Sequence, residues 1–281
     1  MIRAFGLDAA KALGQHFLLD PSITARIARM AAPLAGRHVI EVGPGPGGLT
    51  RALLESEAAS VTAIELDRRC IAALAGLQQA YPARLALIAG DALALDLAAL
   101  VAPPRKIVAN LPYNVATPLL VGWLRQAAAF ECLVLMFQRE VAERIAAAPG
   151  TAAYGRLAVL AQATCRAELV MSLPAAAFVP PPKVASAVLR LDPLPVQPPP
   201  RLLAALERLT AAAFGQRRKM LRAALKALRP DPLALLEAAA IAPDRRAETL
   251  SVAEFLRLAE TDQQQAEHRQ AEQGRDQHGG G

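Results

Sequence analysis
Asn110-Leu111-Pro112-Tyr113 joins a carboxamide, a carbonyl on a proline-stiffened turn and an aromatic ring. That set suits alkylation of a planar, weakly nucleophilic amine, such as the exocyclic amine of adenine. The amide oxygen of Asn110 and the backbone carbonyl of Leu111 or Pro112 can each accept one N–H, which holds the amine with its lone pair aimed at an electrophile. The ring of Tyr113 can stack on the base. The four residues supply no electrophile, so other elements must bring a cofactor to the same place.

A candidate for those elements begins at His38. The apolar run His38–Val42 leads into Gly43-Pro44-Gly45-Pro46-Gly47-Gly48 and then a helical pattern. Gly43, Gly45 and Gly48 match the GxGxxG spacing of nucleotide-type cofactor loops, and a second apolar run ends at Glu65, where a carboxylate can bind ribose hydroxyls. Nicotinamide dinucleotides and S-adenosylmethionine share this plan. Glu41 just before the turn disfavours a pyrophosphate and suits a cationic amino-acid moiety, and Pro44 and Pro46 remove the backbone donors a pyrophosphate would use. A third run ends in Gly90-Asp91-Ala92, where Asp91 and the Ala92 amide can read the cofactor adenine, and the fourth ends at Asn110. Gly43, Glu65, Asp91 and Asn110 thus fall at successive strand ends, the edge where open α/β sheets bind ligands. An NAD-dependent oxidoreductase would share the glycine turn and Glu65 but would leave Asn110–Tyr113 without a role.

The elements that must position these residues follow the same rhythm. Apolar runs predict strands at His38–Val42, Ser60–Glu65, Arg84–Ala89, Lys106–Ala109, Glu131–Gln138, Arg166–Met171 and Ala185–Asp192, with helices between them. This predicts an α/β catalytic domain over residues 1–191. The Pro-rich stretch 192–200 reads as a linker, residues 201–261 as a small all-helical domain, and the polar stretch 262–281 as a disordered tail. Within the helical part, Arg217–Leu228 is predicted as one helix.

The 281 residues carry a net charge of +6, distributed unevenly: eight basic residues lie between Arg201 and Arg229 against the single acid Glu207. Such a local cationic surface suits phosphate contact. No apolar run approaches the length of a membrane span, the first residues lack the plan of a secretion signal, and Cys70, Cys132 and Cys165 are too scattered for a zinc or redox pair. No histidine cluster suggests a metal. A cytoplasmic protein without membrane contact is expected, and, with no heptad pattern, a monomer.

Taken in order, these motifs resemble the ribosomal RNA adenine N6,N6-dimethyltransferase family. The resemblance runs from about Lys11 to Leu258 and includes Leu13-Gly14-Gln15-His16-Phe17-Leu18, Glu41-Val42-Gly43-Pro44-Gly45, Gly90-Asp91-Ala92, Asn110-Leu111-Pro112-Tyr113, Phe178-Val179-Pro180-Pro181-Pro182-Lys183 and Phe214-Gly215-Gln216-Arg217-Arg218-Lys219. Within the family the pattern is similar to the bacterial small-subunit branch, which dimethylates two adjacent adenosines in the 3′-terminal hairpin of 16S rRNA during ribosome biogenesis. The resemblance implies a Rossmann-like methyltransferase sheet with helices on both faces, plus a C-terminal helical domain. It implies S-adenosylmethionine bound by His16, Leu18, Gly43, Gly45, Glu65, Asp91, Ala92 and Asn110. Catalysis would fall to Asn110, Leu111, Pro112 and Tyr113, with Phe178 as a second stacking platform, and RNA contacts to Lys183, Arg217, Arg218, Lys219 and Arg222. His16 stands where many members have Asn. The competing readings are the antibiotic-resistance branch, which methylates large-subunit RNA, and a non-catalytic ribosome-assembly factor that keeps the fold.

Overall fold
The computed structural model describes residues 16–276, so Leu13, Gly14 and Gln15 of the first motif lie outside the described residues. Two compact units emerge. The first comprises residues 1–143 and 165–195, the second residues 144–164 and 196–281. The first unit is built on strands β2 (His38–Val42), β3 (Ser60–Glu65), β4 (Leu85–Ala89), β5 (Arg105–Asn110), β6 (Cys132–Gln138), β7 (Cys165–Leu173) and β9 (Ser186–Pro193). Short strands β1 (Phe17–Leu18) and β8 (Phe178–Val179) form a separate two-stranded ribbon.

The seven-stranded sheet has the order β4-β3-β2-β5-β6-β9-β7. From β4 to β6 all pairings are parallel, whereas β9 runs antiparallel to both β6 and β7. The chain steps outward from β2 through β3 to β4, then returns to the other side of β2 as β5. The reversal opens a crevice at the carboxyl ends of β2 and β5. The central strands are buried on both faces: Val39, Ile40, Ile107, Val108, Leu133, Val134 and Leu135 are essentially inaccessible. That is why they read as continuous apolar runs rather than alternating ones.

Helices α1 (Pro21–Met30), α2 (Gly48–Leu54), α3 (Arg68–Ala80), α4 (Leu97–Leu100), α5 (Ala116–Leu124) and α6 (Arg139–Ile145) follow the strands. Their starts are chemically marked. Asp20 caps α1 by accepting from Ser22 N at 2.8 Å with Pro21 in the first turn, and Asp67 caps α3 through Arg69 N at 2.9 Å. Such caps satisfy amides that lack helical partners. At the opposite edge of the sheet from the crevice, buried Lys106 donates to the carbonyls of Ala31 and Pro33 at 2.8 and 2.7 Å, so its charge is not stranded.

The second unit contains α7 (Arg156–Thr164), α8 (Pro200–Gly215), α9 (Leu221–Ala224), α10 (Pro232–Ala238) and α11 (Val252–Asp276). Three expectations change here. Residues 144–164 group with this unit rather than with the sheet, because Tyr154 packs edge-on against Phe214, which in turn meets Phe255. The expected helix Arg217–Leu228 is broken. After α8 the chain turns at Gln216–Lys219, Met220 bridges to Arg246, and Leu221 N and Arg222 N donate to the carbonyls of Arg245 and Pro243. Those amides therefore leave the helical ladder, and only α9 and a 3-10 turn at Leu225–Ala227 remain.

The third change is the tail. α11 runs on to Asp276 instead of ending in disorder near Asp262, and residues 277–281 lie outside the described residues. Its start is a capping box: Ser251 Oγ accepts from Glu254 N, and Glu254 returns a bond to Ser251 N at 2.8 Å. Farther along, Asp262 is buried, ion-paired with Arg229 of the basic stretch. Arg229 also bonds Gln265 Oε1 at 2.8 Å and the Asp262 carbonyl at 2.6 Å. Pairing inside the helical unit is what extends the ordered chain past the expected boundary. No described helix is long and apolar enough to cross a membrane.

Candidate active site
The carboxyl ends of β2, β3, β4 and β5 open onto one cleft, roofed by the residues around β1. Its lining includes His16, Leu18, Gly43, Gly45, Glu65, Asp91, Ala92, Asn110, Leu111, Pro112 and Tyr113. Residues from His16 to Tyr113 are thus brought together by the strand order.

The glycine turn lets β1 sit directly on the loop. Gly45 has φ 55°, a left-handed conformation that glycine adopts without steric cost, and a Cβ there would press on the Phe17 ring. At Gly48 a Cβ would stand 2.3 Å from the Leu18 carbonyl oxygen, so β1 lies where any other side chain would be. Gly45 N donates to Glu65 Oε2 at 3.0 Å, while Leu66 N and Asp67 N both donate to Glu65 Oε1 at 2.9 Å. The carboxylate is thereby fixed across the loop. Burial raises its pKa, and these three amide bonds oppose the rise. Asp91 combines two roles: it lines the cleft and caps the 3-10 turn Ala92–Ala94 by accepting from Leu93 N at 2.9 Å.

Glu41 is the least comfortable group in the cleft. It is 1% exposed, its Oε2 has no hydrogen-bond partner, and burial pushes its pKa up to about 8, with the Glu65 carboxylate adding to the effect. The buried Thr50 hydroxyl beside it opposes the rise without cancelling it. A buried carboxyl oxygen without a donor is a receptor for an ammonium group.

At the end of β5, Asn110 Nδ2 donates to the His16 carbonyl at 3.2 Å. A carbonyl only accepts, so this bond fixes which end of the amide is nitrogen and leaves Oδ1 as the acceptor. The Pro112 carbonyl already receives Val115 N and Ala116 N at 3.2 and 3.1 Å, at the start of α5. That narrows the pair of backbone candidates to Leu111. Tyr113 lies against the His16 ring with centroids 5.5 Å apart, and its hydroxyl shares a 2.7 Å hydrogen bond with Ser186 Oγ.

Phe178 is not in this group. It pairs with Leu18 in the β1–β8 ribbon, is 2% exposed and packs in the core with Leu49, Met171 and Leu173. This conformation gives a base no access to its ring, which corrects the expected second platform. Lys183, Arg218, Lys219 and Arg222 are exposed, but Arg218 is in a turn and Arg222 in α9, not on one helix face. Arg217 is a tether within the helical unit: it pairs with Glu248 at 3.2 Å and donates to the carbonyls of Ala152 and Tyr154.

Sequence reasoning missed the apolar walls Ile64, Leu66, Val115 and Leu119. Leu66 carried a signal, being a large apolar residue between two acids; it is 61% exposed beside Glu65, a platform for a planar ring. Ser186 carried none.

The parallel sheet reversing at β2 and β5, with acids and Asn110 at successive strand ends, defines a Rossmann-like S-adenosylmethionine-dependent methyltransferase. Among solved structures, a dimethyladenosine transferase from Plasmodium falciparum matches with TM-score 0.73 and 28% identity, covering 86% of this chain and 96% of the other. The 23S rRNA methyltransferase ErmE matches with TM-score 0.64 and 28% identity, covering 87% and 98%. The chain belongs to the ribosomal RNA adenine dimethylase family, which its sequence matches over residues 6–264. It is 61% identical to ribosomal RNA small subunit methyltransferase A of Gluconobacter oxydans, over 92% of this chain and 85% of that protein. The protein of the same name from Rhodospirillum rubrum is 55% identical over 92% and 90%.

S-adenosylmethionine is the cofactor, and the residues present fit it. The Glu41 carboxyl would face its ammonium group, Glu65 its ribose hydroxyls, Asp91 and the Ala92 amide its adenine, and Leu66 would offer an apolar face to that ring.

Proposed function
We propose that this enzyme dimethylates N6 of two adjacent adenosines in the 3′-terminal hairpin of 16S rRNA, within immature small ribosomal subunits. The observation that carries the chemistry is the fixed amide of Asn110, whose Oδ1 remains to accept an amine proton beside the cofactor cleft. The small-subunit substrate is favoured over large-subunit RNA by the names and the 55–61% identity of the bacterial relatives, against 28% for ErmE.

In the proposed mechanism S-adenosylmethionine supplies the electrophilic methyl group. Asn110 Oδ1 and the Leu111 carbonyl accept the two N–H groups of the adenine amine, localise its lone pair for attack and stabilise the positive charge that develops on nitrogen. Tyr113, held at its hydroxyl by Ser186, stacks on a base that has left the RNA stack; the few kcal/mol this costs are offset by contacts in the pocket. After each transfer the nitrogen sheds its extra proton to solvent and the demethylated cofactor leaves the cleft; in the second round one N–H remains, and one acceptor goes without a partner. The exposed cations Arg218, Lys219 and Arg222 of the helical unit, together with Lys183, contact phosphates, while Arg217 holds the turn that presents two of them.

The test is transfer of labelled methyl groups to immature small subunits by wild type and Asn110→Ala. We expect the variant to lose at least about 100-fold in kcat, the scale of removing one charge-stabilising contact, while its cofactor affinity changes only a few-fold. Near-normal turnover would remove Asn110 from the chemistry.

A further inference from the structure
We propose that His16 is a positioning residue for methyl transfer, a clamp that sets the orientation of Asn110 and Tyr113, rather than a side-chain contact to the cofactor. The inference rests on the assignment of Asn110 as an amine acceptor. It starts from the ribbon register, in which Leu18 faces Phe178 and Phe17 faces Val179. The next residues in that antiparallel register are His16 and Pro180. Proline has no N–H, so the backbone ladder cannot continue there in the usual way. The His16 side chain reaches across the ribbon instead: ring Nδ1 bonds the Pro180 carbonyl at 2.9 Å. Because that carbonyl only accepts, Nδ1 must carry the hydrogen.

The same residue faces the chemistry through two other contacts. Its backbone carbonyl receives Asn110 Nδ2 at 3.2 Å, which turns Oδ1 to the acceptor role. Its ring rests on Tyr113 at 5.5 Å and 35°. Tyr113 is in turn fixed at its far end by Ser186, the first residue of β9. Pro180, His16, Asn110 and Tyr113 therefore form one connected set, with His16 the member that touches the other three. Releasing the ring from Pro180 frees the His16 carbonyl to shift, and with it the amide that must hold the amine within a fraction of an ångström. A misplacement of about 1 Å at a reacting centre lowers the rate by roughly 100-fold.

Three variants of the full chain separate this role from the alternatives. His16→Asn keeps a short side-chain N–H donor for the Pro180 carbonyl, His16→Phe keeps ring area without a donor, and His16→Ala keeps neither. The readouts are kcat and KM with immature small subunits, affinity for S-adenosylmethionine by calorimetry, and the melting temperature. We expect His16→Ala and His16→Phe to lose about 10- to 100-fold in kcat, with cofactor affinity within about threefold, and His16→Asn to recover most of the loss. Wild-type kcat in His16→Phe, or a weakened cofactor affinity that accounts for the whole defect, would overturn the proposal. If His16→Ala does not fold, the contrast between Phe and Asn decides alone. Absence of transfer by the wild type would count against the small-subunit substrate, and this inference with it; wild-type transfer alongside fully active variants sinks the inference only.

Discussion
Glu41 shows how a binding site keeps a group that folding would reject. Its carboxyl is buried, its Oε2 lacks a donor, and its pKa is pushed up to about 8. In the unfolded chain it titrates in the ordinary carboxylate range. Between that range and about 8 the folded state holds the extra proton, so the contribution of Glu41 to stability is present at low pH and is lost as pH rises through 8. The scale is a few kcal/mol. The cofactor-free protein should therefore melt lower at pH 9 than at pH 6 by a margin that Glu41→Gln reduces, as measured by calorimetric scans of both proteins. An identical pH dependence in the two would show that Glu41 is not the strained group. At this scale the sequence was a good guide. Asn110, Glu65 and Asp91 could be placed at one edge of the sheet because each closes an apolar run, and a strand's end is legible in the residues themselves. The fixed orientation of the Asn110 amide was not, since its partner is a backbone carbonyl 94 positions away.

The strands β2, β3, β5 and β6 were readable as elements because a parallel sheet covered on both faces demands uninterrupted apolar runs. Periodicity fails where tertiary bonds override local preference. Arg217–Leu228 has the composition of a helix, yet its amides at Leu221 and Arg222 are taken by the loop at Pro243–Arg245. Phe178 misled for a related reason: an aromatic before a proline turn suits a binding surface, but strand pairing with Leu18 places it in the core. The broken helix alters the expected RNA contact. Arg218 presents its charge from a turn held by Arg217, and Arg222 from the short α9 that follows. Reversing both charges, Arg218→Glu with Arg222→Glu, should weaken RNA binding and reduce the slope of log K against log salt by about one to two, since each phosphate contact contributes slightly less than one. Titrations at several salt concentrations read this directly. A slope equal to wild type would mean that neither residue meets a phosphate.

At the scale of the whole molecule, the chain divides along lines the linear sequence conceals. The sheet unit is interrupted by residues 144–164, which belong to the helical unit through Tyr154 and its aromatic neighbours. The helical unit in turn extends past Asp262, because Arg229 needs a buried counter-charge. A proline-rich stretch is visible in composition, although β9 runs into it as far as Pro193 and α8 starts at Pro200; a segment that leaves one unit for another and returns is not. The two units divide the proposed work. The sheet unit holds cofactor and amine in a single cleft, and the helical unit presents the cationic turn for structured RNA. Their joint product is specific enough to be read in one measurement: incubation of the enzyme and S-adenosylmethionine with immature small subunits, followed by mass spectrometry of the digested RNA. The expected product is N6,N6-dimethyladenosine at two adjacent positions of the 3′-terminal hairpin of 16S rRNA. Methylation confined to large-subunit RNA, or an unmodified hairpin, would contradict it.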